Sequence, residues 1–76
     1  ITPGFYRHYS GKNYEVLGTA RHSETLEPVV VYKALYASEF PEGQLWVRPK
    51  AMFGEEVMVN GIKMPRFKHQ TPRVFP

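Results

Sequence analysis

The run Val29-Val30-Val31-Tyr32-Lys33-Ala34-Leu35-Tyr36-Ala37 restricts the fold more than any other segment of this chain. Side chains alternate between the two faces of an extended backbone. Val29, Val31 and Leu35 then share one face, and Val30, Tyr32, Ala34 and Tyr36 the other. Both faces are largely apolar, the pattern of a central strand covered on two sides. A helix competes for so apolar a run. Three consecutive valines and two tyrosines favour the strand, where β-branched and aromatic side chains pack well.

The flanking segments supply neighbours for that strand. Phe5 to Tyr9 and Asn13 to His22 read as strands joined by the turn Ser10-Gly11-Lys12, an antiparallel hairpin. The second of these alternates apolar and polar residues, broken only by Leu17, and Gly18 in its middle predicts a bulge or bend. Ser23 to Pro28 reads as a loop or tight turn. Pro28 cannot donate to a ladder, and the Ser23 and Thr25 hydroxyls compete for local backbone groups. Ser38 to Gln44 is a second loop, Leu45 to Arg48 a short strand closed by Pro49, and Lys50 to Phe53 has room for one helical turn. Asn60-Gly61 predicts a two-residue type I′ hairpin, in which Val59 faces Ile62, Val57 faces Met64, and Glu55 faces Arg66 as an ion pair. Residues 1–67 form one domain in this reading, and 68–76, with two prolines and no periodicity, a loosely ordered tail. Five or six short antiparallel strands with tight turns make an all-β, small half-open barrel or roll.

A chain of 76 residues supports one thin core. Without cysteine there is neither a disulfide framework nor a thiolate metal site, so five Phe, five Tyr and one Trp must do the packing. Phe5, Tyr14, Phe53 and Phe67 are assigned to that core. No apolar run reaches the roughly 20 residues needed to cross a bilayer, and the first residues lack the form of a signal peptide. The expectation is a soluble, cytoplasmic protein with no membrane partner.

The run Pro3-Gly4-Phe5-Tyr6-Arg7-His8-Tyr9-Ser10-Gly11-Lys12-Asn13-Tyr14-Glu15-Val16-Leu17 is followed by Ala20-Arg21-His22-Ser23-Glu24-Thr25-Leu26-Glu27-Pro28 and Val30-Val31-Tyr32. With Leu45-Trp46-Val47-Arg48-Pro49, Met52-Phe53 and Pro65-Arg66-Phe67, this string resembles a small bacterial family, domain of unknown function 1653. The resemblance covers nearly all of the chain up to Phe67. It implies an SH3-like barrel and brings no known activity, so no catalytic residue is carried across. The Ser38 to Gln44 loop and the tail are where this chain is expected to depart from its relatives.

The net charge of +3 is modest, but Glu24, Glu27, Glu39 and Glu42 fall in loops while Arg7, Arg21, Lys33, Arg48 and Arg66 fall in predicted strands, where basic groups can share a sheet face. Arg7-His8 and Arg21-His22 lie on paired strands and can approach one another across the hairpin. A guanidinium binds phosphate or carboxylate through two parallel hydrogen bonds, so the leading reading is a non-catalytic binding module for an anionic ligand: a nucleotide, RNA or an acidic peptide. Its site residues are Arg7, Arg21, His22, Tyr32, Trp46 and Arg48. The alternative is that these arginines pair with Glu15, Glu24, Glu27 or Glu55 and tie the barrel together. A second class of function is a protein interaction or oligomerisation domain using exposed apolar surface and sheet edges. A third, a small hydrolase or metal enzyme, needs His8 and His22 to converge with Glu24 or Glu27. His22-Ser23-Glu24 lacks a recognised metal spacing and no aspartate is present to orient a histidine, so no catalytic residue, metal ligand or cofactor is assigned. Ala20 to Tyr32 is the expected centre of function.

Overall fold

The structure, a computed structural model, describes residues 1–70. The order of elements is β1 (Gly4–His8), β2 (Asn13–Arg21), β3 (Pro28–Ala34), β4 (Leu45–Pro49), α1 (Lys50–Phe53), β5 (Glu56–Val59), β6 (Ile62–Pro65) and β7 (Phe67–Gln70). Five strands form one antiparallel sheet in the order β4-β3-β2-β1-β7, and β5 pairs with β6 in a second. The valine-rich strand β3 lies between β2 and β4, as its two apolar faces require. The protein is all-β, and its longer sheet has the architecture of a small SH3-like half-open barrel.

Local sequence accounts for the joints. Asn60 and Gly61 both have positive φ, 52° and 78°, which the tight hairpin turn demands. Val59 faces Ile62, Val57 faces Met64, and the Arg66 guanidinium reaches Glu55 at 3.9 Å. The register of β2 on β3 slips between Val16 and Gly18. Leu17, which breaks the alternation of its strand, is the bulged residue and is exposed. The single turn of helix sits at Lys50–Phe53 and buries only Phe53.

Tyr6, Val16, Val30, Tyr32, Phe53 and Phe67 form the core, with Tyr14 packed against it. The Phe53 and Phe67 rings stack at 4.2 Å and 5°. Tyr32 meets both edge-on at 5.6 and 5.7 Å, and Tyr6 meets Phe53 at 5.7 Å. Offset and edge-on pairs of this kind contribute about 0.5–1.5 kcal/mol each beyond area burial. Aromatic packing thus replaces the cross-links that the chain lacks.

Three expectations need correction. Among the described residues the strands number seven, because residues 62–70 form both β6 and β7. Lys68 to Gln70, read as part of the tail, are strand residues paired with β1; the rest of that tail lies outside the described residues. Phe5 is half-buried on the face away from the core, beside Glu15 and Gln70. Among the described residues, no helix is long and apolar enough to cross a membrane.

Candidate functional site

Cross-strand partners stand on the same face of a sheet, so the register sorts the basic residues. Val30 pairs with Arg48 and Tyr32 with Trp46, which puts Arg48 and Trp46 on the core-bearing face. Arg7 pairs with Asn13 on one side and Lys68 on the other, and Glu15 with Lys33, all on the opposite face. Lys33 is held there by Glu15 at 3.4 Å. The expectation that the strand-borne cations share one face is therefore overturned, because odd and even positions of the pleat divide them.

On the core-bearing face a site is built around Phe67. Its ring is met edge-on by His8 at 4.8 Å and Tyr14 at 5.6 Å, and the Arg48 guanidinium lies 5.8 Å from its centroid. The Tyr14 hydroxyl is hydrogen-bonded to that of Tyr36, and the Lys12 ammonium stands 4.9 Å from the Tyr36 ring. Arg66 enters from the bend between β6 and β7. Four separate strand ends and one turn thus converge on a single aromatic floor.

The polar groups of this site are incompletely matched from within the protein. The Arg48 and Arg66 Nε atoms are both buried, and neither has a hydrogen-bond partner among the described residues. Burial, and then the positive charges of Arg66 and Arg48, push the His8 pKa below its ordinary 6.5. The His8 Nδ1 atom accepts from the Ser10 backbone N–H at 3.2 Å and lies 2.8 Å from the Ser10 hydroxyl. The neutral ring consequently carries its proton on Nε2. Burial, followed by the Tyr36 hydrogen bond, raises the Tyr14 pKa and keeps the phenol protonated. The site offers two guanidinium groups, a neutral imidazole and two phenols, with the Glu55 carboxylate 3.9 Å from Arg66 Nη2.

The residues singled out from sequence are distributed unevenly. Arg48 belongs to this site. Tyr32 is buried beneath it, 6% exposed, and is a core residue. Trp46 is partly exposed beside Phe40, with ring centroids 5.1 Å apart. Arg7 faces the other way, its Nε donating to the Asn13 side chain at 3.0 Å. Arg21 and His22 lie at the far end of β2. There, Arg21 Nη1 donates to the Leu26 carbonyl at 2.9 Å, and His22 Nδ1 accepts from the backbone N–H groups of Glu24 and Thr25 at 3.1 and 3.2 Å. No ion pair joins Arg21 to Glu24 or Glu27. The two Arg-His pairs do not approach one another, since Arg7 pairs with Asn13 at the start of β2 and Arg21 ends it. His8 and His22 do not converge with Glu24 or Glu27 for the same reason. Among the described residues no group of three or more His, Cys, Asp or Glu is placed to hold a metal ion.

His8, Lys12, Tyr36 and Arg66 stand outside the site residues of the leading sequence reading. From sequence, His8 enters only the hydrolase or metal reading with His22, and Arg66 only the set of strand cations and the ion pair with Glu55. The Tyr14 to Tyr36 contact spans 22 residues and carries no local signal.

The architecture defines a small all-β domain with an SH3-like open barrel and a basic, aromatic-floored face. The chain belongs to the family described as Protein of unknown function (DUF1653), whose model matches residues 4–69. It is similar to the crystal structure of a DUF1653 protein from Bordetella bronchiseptica at 40% identity and a TM-score of 0.85, a match that covers 100% of this chain and 94% of that one. No curated protein matches the chain.

Proposed function

We propose that this domain is a non-catalytic binding module for an anionic ligand, held on the core-bearing face by Arg48 and Arg66 with His8, Tyr14 and Tyr36 around it. The observation that carries this reading is the pair of buried guanidinium Nε atoms without hydrogen-bond partners among the described residues. A buried donor left unsatisfied costs about 1–3 kcal/mol, and more when charged. A phosphate or carboxylate accepts from a guanidinium in pairs of short, charge-assisted bonds, so a bound anion removes that cost. The aromatic floor supports the same reading, because it keeps the donors in a surrounding of low polarity where electrostatic attraction is stronger than in water. His8, held neutral, adds a donor without adding a charge.

The test is an NMR titration with inorganic phosphate and with a nucleoside monophosphate, read at the arginine Nε–Hε resonances. Those of Arg48 and Arg66 should shift together and saturably, while that of Arg21 stays in place. The His8 pKa should rise on saturation, because burial is the main cause of its depression but Arg66 and Arg48 add to it, and the anion offsets their part. Resonances of Arg48 and Arg66 that ignore every anion would sink the reading.

A second reading, a protein interaction domain, is favoured by β4. This strand forms one edge of the sheet and exposes Leu45, Trp46 and Val47, the last 63% accessible, and exposed apolar edges are templates for further pairing. A sedimentation experiment that finds only monomer at high concentration would count against self-association through β4.

A further inference from the structure

A second basic feature lies on the opposite face, next to the first. Between the end of β1, the start of β7 and the β5-β6 hairpin is a cavity of about 440 Å³, walled by Arg7, Lys68, Tyr9, Met64 and Pro65. Its size falls in the range of roughly 300–1,000 Å³ typical of ligand pockets. Among the described residues, no acidic side chain lines it. Arg7 and Lys68 are cross-strand partners, and the Asn13 side chain fixes the Arg7 guanidinium by its Nε.

The two features are joined by one residue. His8 lines the cavity and also packs its ring against Phe67 and Tyr14 in the site with Arg48 and Arg66. Beside it the Tyr9 ring is 47% exposed, 4.4 Å from the His8 ring and tilted by 36°. Tyr9 and the turn residues Ser10 to Lys12 are exposed while His8 is half-buried, so a ligand crossing from one face to the other passes over the Tyr9 ring. At either end of that path stand cations.

Resting on the reading of Arg48 and Arg66 as an anion site, we propose that the ligand is a single-stranded nucleic acid, whose backbone runs from Arg48 and Arg66 to Arg7 and Lys68 while a base stacks on Tyr9 at the crossing. A small anion fills one basic site and leaves the other unused. An acidic peptide supplies charges in series but no flat group for the exposed Tyr9 ring. A single strand supplies both, since phosphates track a basic groove and every base has a face to stack. The apolar side chains of Met64 and Pro65 give the far end of the path a surface suited to a second base.

The experiment compares hexauridylate, uridine monophosphate and hexaglutamate by fluorescence anisotropy and calorimetry, with the wild-type chain and an Arg7→Ala, Lys68→Ala double variant. Hexauridylate should bind at least about tenfold more tightly than the monophosphate, with a salt dependence of about 0.7 in log–log slope for each phosphate engaged. The double variant should lose that excess and flatten the slope by roughly 1.4, two phosphates' worth, while binding the monophosphate as the wild type does. Tyr9→Ala should weaken hexauridylate by roughly tenfold and leave the slope unchanged. Equal affinity for hexauridylate and the monophosphate, or hexaglutamate binding as tightly as hexauridylate, overturns the proposal while leaving the anion site intact. If none of the three perturbs Arg48 or Arg66, both this proposal and the anion site fall.

Discussion

β2 ends in the same kinds of residue as surround Phe67, and the two regions use them in opposite ways. At the far end of β2 Arg21 and His22 face a tight loop, and their side chains are occupied by its backbone: Arg21 by the Leu26 carbonyl, His22 by two N–H groups. The loop closes on itself, His22 N–H to the Glu27 carbonyl and Leu26 N–H to the His22 carbonyl, and this forces Leu26 to a φ of 63°. Around Phe67, His8, Arg48 and Arg66 surround an aromatic floor, and two guanidinium Nε atoms there are buried without partners among the described residues. Polar side chains that complete a loop are part of the scaffold. Polar side chains whose hydrogen bonds remain to be made are where a ligand gains most.

That contrast can be broken in several ways. The largest effect is expected from Phe67→Ala, which removes the ring on which Phe53, Tyr14, Tyr32 and His8 converge. It should cost about 3–5 kcal/mol, read as a shift in the urea midpoint. Next comes the exchange of arginines. Arg48→Met should lower affinity for phosphate at least about tenfold and leave stability unchanged or raised, because it removes a half-buried guanidinium whose buried Nε has no hydrogen-bond partner among the described residues, a desolvation cost that an apolar side chain avoids. Arg21→Met should do the reverse, costing about 1 kcal/mol for the lost hydrogen bond with phosphate affinity intact. Loss of phosphate binding in a folded Arg21→Met protein would invert the assignment of the two regions. His22→Ala removes the acceptor of two loop N–H groups and should cost about 0.5–2 kcal/mol, as loss of a helix cap does.

The smallest expected effect is on pH dependence. The folded pKa of His8 lies below its ordinary 6.5, so as pH falls below that value the unfolded chain takes up the proton first. Stability is therefore level with respect to this group above the unfolded pKa and declines as pH falls toward the folded one. His8→Gln should remove this part of the slope between pH 7 and 5, and saturating phosphate should shrink it in the wild type. Urea melts across that window would show either result, and an unaltered slope in both cases would mean that neither burial nor the cations around it shift His8.

Much of the scaffold was legible because it depends on near neighbours. Asn60-Gly61 demanded its turn, Gly18 marked the bulge, and the apolar valines chose the centre of the sheet. The strand β7 was missed because Phe67-Lys68-His69-Gln70 is too short and polar for its own pattern to declare it; only its pairing with β1 holds it extended. Of the site, Arg48 was legible as a strand arginine in an aromatic setting, and Arg7 as a basic residue, but their faces were not. Arg21 and His22 looked like a site by composition, and their hydrogen bonds make them the fastening of a loop. Tyr32 and Trp46 are neighbours across β3 and β4, yet one is buried and the other stands at an edge.

What the residues determined by themselves was the all-β class, the turns, the central strand and a reliance on aromatic packing, since each follows from backbone preference, alternation or the lack of cysteine. The tertiary structure alone decided which cations meet. Sheet register assigns every strand residue to a face, and contacts such as Tyr14 to Tyr36 or His8 to Phe67 join segments whose separation in the chain says nothing of their distance in space. Whether a charged group is already satisfied depends on those contacts, and that separates the Arg48 and Arg66 end of this domain from its Arg21 end.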